Sequence, residues 1–234
     1  MCEDRFCYVI VLAGGAGARF GGDAPKQFQM LGDAPVFLHS TRKFDEMGHV
    51  SGIILVAPKE HLAYCQNMVW RHGLAKVMDI VIGGESRQES TYHGLCALKV
   101  HPDSIILVHD AARPFVAESD VAALVDAASA HTAAVLALPV TDTIKVANAG
   151  KMASKTLDRK NLYAAKTPQA ARFADLMAAH EAARTDGFLA TDDCQLMENI
   201  GIYPKIIITG TSNIKITTKA DLEFVAFLLE RGMI

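Results

Sequence analysis

Arg19 and Lys26 stand among Gly14, Gly15, Gly17, Gly21 and Gly22, in a stretch that directly follows an apolar run at residues 8–13. Glycines let a backbone turn sharply and bring its N–H groups close to a ligand, while two fixed cations add charge that amides alone do not supply. Such a loop, at the end of a short buried strand, is suited to an anion. Three phosphate-binding patterns compete for it. A Walker A loop needs Gly-Lys-Ser/Thr opening a helix, but Gly22 is followed by Asp23 and Lys26 by Gln27. A dinucleotide fingerprint would put a third glycine where Phe20 stands, and the next strand candidate, residues 53–56, ends in Ala57-Pro58 with no acid for a ribose. The remaining pattern is L-A-x-G-x-G-x-R followed by P-K-Q. A glycine turn with solvated charges is the plain alternative, and Arg19, Pro25 and Lys26 together argue against it.

Other stretches carry polar groups to places where a ligand would sit. In GGESRQESTYHGL, Gly83 and Gly84 allow close backbone approach and Ser86 with Glu89 reads as a capping box. Ser90, one residue on, offers a hydroxyl to a base edge. In SIILVHDAARP an apolar run ends in Asp110, Ala111, Ala112 and Arg113. That acid and that arginine could form a simple turn salt bridge, or face a crevice left open by the small alanines. The nine histidines show no H-E-x-x-H or paired spacing, so no zinc site is expected. No Ser-His or Cys-His nucleophile pattern is evident either.

These groups need a scaffold. Strand patterns at residues 8–13, 52–57, 78–82, 104–110, 133–139 and 203–209 alternate with helix patterns at 35–47, 59–71 and from Val121, the rhythm of a mostly parallel sheet covered on both faces. Ligands collect at the carboxyl ends of such strands. Residues 170–183 are alanine-rich enough to be helical on propensity. Thr191-Asp192-Asp193 reads as a helix start, and Thr218 with Asp221 caps a closing amphipathic helix. The rhythm breaks at residues 143–157, a hairpin with Asn148-Ala149-Gly150 at its turn and too few apolar residues to hold itself folded. Lys145, Lys151 and Lys155 guard its edges, and a second subunit is its natural support.

Size and composition set outer limits. At 234 residues and 50% apolar, the chain is expected to form one domain with an appendage. A net charge of -3 provides no basic surface for nucleic acid. Five cysteines without a C-x-x-C pair argue for a reducing, cytoplasmic setting. No apolar run nears the roughly 20 residues of a membrane span, and the acidic start is unlike a signal peptide.

Taken in order, LAGGAGARFG with PKQ, GGESRQES with Gly94-Leu95, VHDAARP, DTIK, DRKNLY, TPQ, TDD and NIKIT with Asp221-Leu222 resemble the 2-C-methyl-D-erythritol 4-phosphate cytidylyltransferases of the non-mevalonate isoprenoid pathway. The resemblance spans nearly the whole chain. Ribitol 5-phosphate cytidylyltransferases share the loop, PKQ, TPQ and NIK, but RQES, HDAARP and TDD are closer to the methylerythritol versions. The chain departs from that family's usual residues at Gly14, Phe20, Thr91 and Tyr163. An idle nucleotide-binding protein on the same fold is an alternative of another class.

The resemblance implies an α/β nucleotidyltransferase fold, with a Rossmann-like, mostly parallel sheet and a protruding β-hairpin arm. It implies a single domain over residues 1–234, with 141–160 exchanging between the subunits of a homodimer. The substrates would be CTP and a sugar-alcohol phosphate, with Mg²⁺ carried largely by the triphosphate. Arg19 and Lys26 match transition-state stabilisers, and Arg159 and Lys215 match residues that position the sugar phosphate. Arg113, Thr143, Thr167 and Thr191 are supporting contacts, and Asp110 with Ala111 meets substrate hydroxyls. The cytidine would be read by the backbone at Ala13, Gly14, Gly15 and Gly17 and by Gly84, Glu85 and Ser90.

Overall fold

The computed structural model describes residues 6–14 and 25–233. Strand β1 (Cys7–Leu12) carries the apolar run into the glycine loop. Past that loop, a 3-10 turn at Lys26–Phe28 leads through a small hairpin, β2 (Met30–Leu31) and β3 (Ala34–Pro35), into helix α1 (Val36–Glu46). Pro35 sits one place earlier than expected, as the extended cap of that helix rather than in its first turn. The chain then alternates through β4 (Val50–Ala57), α2 (Leu62–Arg71), β5 (Val77–Ile82), α3 (Arg87–Ala97), β6 (Ile105–Asp110), α4 (Glu118–His131) and β7 (Ala133–Pro139). The hairpin β8 (Lys145–Ala147) and β9 (Ala153–Thr156) follows, then β10 (Tyr163–Arg172), α5 (Phe173–Asp186), α6 (Asp193–Asn199), β11 (Lys205–Ile208) and α7 (Lys219–Glu230).

The main sheet runs in the order β11-β7-β10-β6-β1-β4-β5. Its inner strands β1, β4 and β6 bury both faces, as parallel strands covered by helices must, while the edge strands β5 and β11 stay partly exposed. Val9, Val11, Ile53, Leu55, Ile105 and Leu107 point one way, onto Phe37 and Phe44 of α1 and Leu124 of α4. Their neighbours Ile10, Leu12, Ile54, Val56, Ile106 and Val108 point the other way, onto Leu95 of α3, Leu176 of α5 and Leu196 of α6. A third, smaller cluster joins Leu31 and Val36 to Ile216 and Val225, with Leu222 and Leu229 of α7 packed against it.

One strand overturns an expectation. Residues 170–183 were expected to be helical, yet Ala170 and Ala171 belong to β10, and α5 begins only at Phe173. The alanine preference for helix is worth tenths of a kcal/mol per residue. It loses here to pairing on both sides, with Ala170 opposite Leu107 of β6 and Ala134 of β7. Because β10 runs antiparallel to both neighbours, its beginning lies at the edge where β6 and β7 end. Thr167 is thereby brought to Asp110, whose backbone N–H donates to the threonine Oγ1 at 3.0 Å.

The hairpin arm springs from the same edge, since Pro139 at the end of β7 pairs with Tyr163 at the start of β10. Strands β8 and β9 pair with each other, all their residues are exposed, and Val146 and Met152 are among the exposed apolar side chains. At the tip Asn148 Oδ1 accepts from the backbone N–H groups of Gly150 and Met152, both at 3.0 Å. The positive φ of the turn, 60°, falls on Lys151 rather than on the glycine.

Candidate functional site

Backbone hydrogen bonds gather the loops at the carboxyl edge of the sheet. The N–H of Ala13 donates to Val56 O at 2.7 Å, that of Gly83 to Ala57 O at 2.9 Å, and that of Ala111 to Leu12 O at 3.0 Å. Helix α3 starts here, with Ser86 Oγ accepting from Glu89 N at 3.0 Å. The expected capping box is displaced by one residue, because the Glu89 carboxylate accepts from the N–H of Glu85 at 2.8 Å instead of from Ser86. That fold-back needs a glycine beside it, since a Cβ on Gly84 would lie 2.2 Å from Glu89 Cγ. Ser90, buried one turn into the helix, accepts from Gly84 N at 3.1 Å and lies 3.6 Å from where a Cβ on Gly14 would stand. Gly14, Gly84, Glu85 and Ser90 thus form one wall, and the Ser90 hydroxyl proton remains to be donated.

Beside this wall is a chain of charges. Asp110 accepts from Lys215 Nζ at 2.6 Å and from Arg87 Nε at 3.2 Å, through different oxygens. Arg87 also donates from Nη1 to Asp193 Oδ2 at 2.7 Å, and His180 Nε2 lies 3.4 Å from the other Asp193 oxygen. Burial alone would raise both carboxyls. For Asp110 the charges of Arg87 and Lys215 prevail, and for Asp193 the charge of Arg87 with the neighbouring His180 ring, so both are held below the usual carboxylate range. Asp110 does not pair with Arg113, the local salt bridge that the sequence allows. The Arg113 guanidinium is buried and donates from Nη1 to Asn213 O at 3.1 Å, alongside Lys166 Nζ at 3.0 Å, while Asn213 Nδ2 donates to Thr167 O at 2.9 Å. Ala111 is also fully buried and its carbonyl accepts from Ser40 Oγ at 2.6 Å, so the small residues after β6 serve close packing rather than an open crevice.

Lys26 reaches the same edge by another route. Its neighbour Gln27 is buried and donates to Ala13 O at 2.7 Å. Its charge is also felt by Asp221 at the start of α7; against a burial penalty, the amides of Thr218 and Thr217 and then Lys26 hold that carboxyl low. Thr191 lies at the approach to α6, exposed, with both N and Oγ1 donating to Gln195 Oε1. Thr143 and Arg159 stand apart from the cluster, both exposed at the two ends of the arm, and the Arg159 guanidinium donates to the carbonyl of Thr141. Gly15, Gly17 and Arg19 lie outside the described residues.

His109, directly under Asp110, gives the site a pH signature. Its Nε2 is 2.9 Å from Arg113 O, and its Nδ1 is 3.4 Å from Thr167 Oγ1. A carbonyl only accepts, so Nε2 carries a proton. Burial pushes its pKa down to about 4. An unfolded histidine titrates near 6.5. Between those values the unfolded chain takes up the extra proton, so stability is lost as pH falls, by about 3 kcal/mol at the low end of the window. Asp110 and Asp193 act lower down: their depressed values stabilise the fold above about pH 3.9, and this is lost as pH falls through the folded values. Urea unfolding between pH 4 and 6.5 should show the histidine slope, and His109→Gln should flatten it. A folded His109→Gln protein with the slope unchanged would remove His109 as its source.

Compared with known proteins, residues 7–231 match the family described as 2-C-methyl-D-erythritol 4-phosphate cytidylyltransferase. The chain belongs to this family. A cytidylyltransferase of that name from Pelotomaculum thermopropionicum is 43% identical over 215 residues, 91% of this chain and 90% of the relative. One from Geobacillus kaustophilus is 42% identical over 224 residues, 96% and 97% of the two chains. Among solved structures, the 4-diphosphocytidyl-2C-methyl-D-erythritol synthase of Anaerococcus prevotii superposes with a TM-score of 0.84 at 28% identity, covering 97% of each chain. The Francisella tularensis cytidylyltransferase superposes at 0.81 and 28% identity, covering 95% of this chain and 99% of its own.

Within this cytidylyltransferase, Arg87 is the residue that sequence reading passed over. It stands in the first turn of α3, where a cation opposes the helix dipole, and that misplacement is the signal that could have pointed to a carboxylate partner. Among the described residues no cluster of acids, histidines or cysteines could hold a metal, and the Asp110 carboxylate is already taken by two cations. This donor set suits a metal that arrives on a substrate's own phosphates. No helix among the described residues is long and apolar enough to cross a membrane.

Proposed function

We propose that this chain joins the phosphate of 2-C-methyl-D-erythritol 4-phosphate to the α-phosphorus of CTP, releasing pyrophosphate and 4-diphosphocytidyl-2-C-methyl-D-erythritol. The observation that carries this reading is Lys215 held against Asp110 at the end of β6, beside the wall of Gly14, Gly84, Glu85 and Ser90. A carboxylate fixed by cations suits an acceptor's hydroxyls, and the adjacent ammonium suits its phosphate. The nucleophile needs no base, because a phosphate monoester has its second pKa near 6 and is largely ionised at neutral pH. The work left to the protein is to bring two anions together and to neutralise charge that grows between them.

In this reading the Ser90 hydroxyl and the backbone at Ala13, Gly14, Gly15, Gly17, Gly84 and Glu85 hold the cytidine. Lys26 and Arg19 follow the triphosphate, and Lys215 with Arg159 orients the acceptor phosphate. Arg113, Thr167, Thr143 and Thr191 complete the surroundings, with Ala111 packed behind them. Mg²⁺ bound to CTP lowers the charge of the departing pyrophosphate. We take residues 1–234 as one catalytic domain in the cytoplasm, with 141–160 as the arm of a homodimer. Pyrophosphate release measured with methylerythritol phosphate and with ribitol 5-phosphate at matched concentrations tests the acceptor. A clear preference for the first is expected, and a preference for ribitol 5-phosphate would overturn the assignment.

A further inference from the structure

We infer that Arg87 is a positioning residue for the acceptor half of the site, holding Asp110 against Lys215 and tying that pair to helix α6 through Asp193. The inference rests on the reading above, in which Lys215 and Asp110 meet the acceptor. Its basis is a division of labour visible in the hydrogen bonds. Each oxygen of Asp110 has its own cation, Lys215 on Oδ2 and Arg87 on Oδ1, so the carboxylate can neither rotate nor swing without losing one of them. Arg87 is held in turn by Asp193, whose side chain is only 4% exposed, and by its place in the first turn of α3. Asp192, next to Asp193, caps α6 through Gln195 N at 2.9 Å and accepts from Gln169 of β10 at 2.8 Å. The aim of Lys215 is therefore set by three elements that meet at one guanidinium.

Stability alone does not explain the arrangement. Arg87 Nη2 and Asp193 Oδ1 are buried with no hydrogen-bond partner among the described residues. A buried ion network with orphaned atoms is commonly no more stable than a well-packed apolar replacement. What the guanidinium adds is geometry, since its planar fork engages two carboxylates from fixed directions. A lysine there would reach one of the two at a time.

The test compares Arg87→Met, Arg87→Lys, Asp193→Asn and Lys215→Met in the full-length protein, reading kcat and the KM of each substrate, with thermal melts to confirm folding. Arg87→Met is expected to raise the KM for methylerythritol phosphate tenfold or more while the KM for CTP moves less than twofold, and Arg87→Lys to recover only part of the loss. Asp193→Asn should shift the acceptor KM the same way by a few-fold. Folded Arg87→Met with unchanged kinetics, or with both KM values changed alike, would overturn the inference. If Arg87→Met does not fold, Asp193→Asn decides: a selective rise in acceptor KM upholds the positioning role and an unchanged acceptor KM ends it. Lys215→Met separates this question from the functional reading. Loss of acceptor binding there, with Arg87 variants unaffected, refutes only the inference, whereas normal acceptor kinetics in Lys215→Met refutes the reading beneath it.

Discussion

Lys26→Ala should lower turnover by about 10²- to 10³-fold, or about 3–4 kcal/mol in the barrier, on the scale seen when one preorganised donor is removed from a developing charge. Lys26 is half-buried in a single 3-10 turn, held to the end of β1 by its neighbour's bond to Ala13 O. The lysine side chain is dispensable to that anchor, because the buried amide belongs to Gln27 and the ring that packs belongs to Phe28. Loss of the ammonium also relieves Asp221 of one favourable charge, yet its hydrogen bonds from Thr217 and Thr218 remain. The melting temperature should therefore shift by only a few degrees while pyrophosphate release collapses. A folded Lys26→Ala protein with near-normal turnover would mean that the glycine loop is not the catalytic centre.

The second large effect is a recovery rather than a loss. The arm leaves and re-enters the sheet at the ligand edge, all of β8 and β9 is exposed, and Arg159 stands at its base away from Asp110 and Lys215. If two subunits exchange arms, an inactive Lys26→Ala chain and an inactive Arg159→Ala chain combine into a mixed dimer with one doubly damaged site and one intact site. Random remixing makes half the dimers mixed, so activity should return to about a quarter of the wild-type level. Mixed dimers that form and remain inactive would show that the arm does not cross, and that Arg159 serves its own subunit or none.

Much of this molecule was legible before any coordinates. The continuous apolar runs of β1, β4, β6 and β7 and the caps at Ser86, Asp192 and Thr218 are local signals, and each produced the element it announced. Gly14, Gly84, Ser90 and Asp110 were legible as residues of one sheet edge because glycine, hydroxyl and acid recur where strands end. What local signals could not carry is pairing across the sheet. Ala170 and Ala171 are strand residues only because β6 and β7 flank them, and Arg87 finds Asp110 and Asp193 only after α3, β6 and α6 converge. The displaced capping box at Glu89 is of the same kind, set by the tight backbone at Gly84 that spacing alone does not reveal.

The small cluster beneath α7 gives the site a weak point distinct from the rest of the fold. Leu31 follows closely on Lys26, Ile216 adjoins Lys215, and both are buried against Val36 and Val225 with Leu222 and Leu229 around them. Two cations assigned to different phosphates therefore share one patch of apolar contact, although the turn of Lys26 is braced as well by Phe28 in the large cluster under α1. Proteins open piecewise, and units with little buried surface open at a fraction of the global free energy. Undocking α7 would loosen the footing that both charges share and leave the sheet intact, so the seating of one helix is felt at both phosphates.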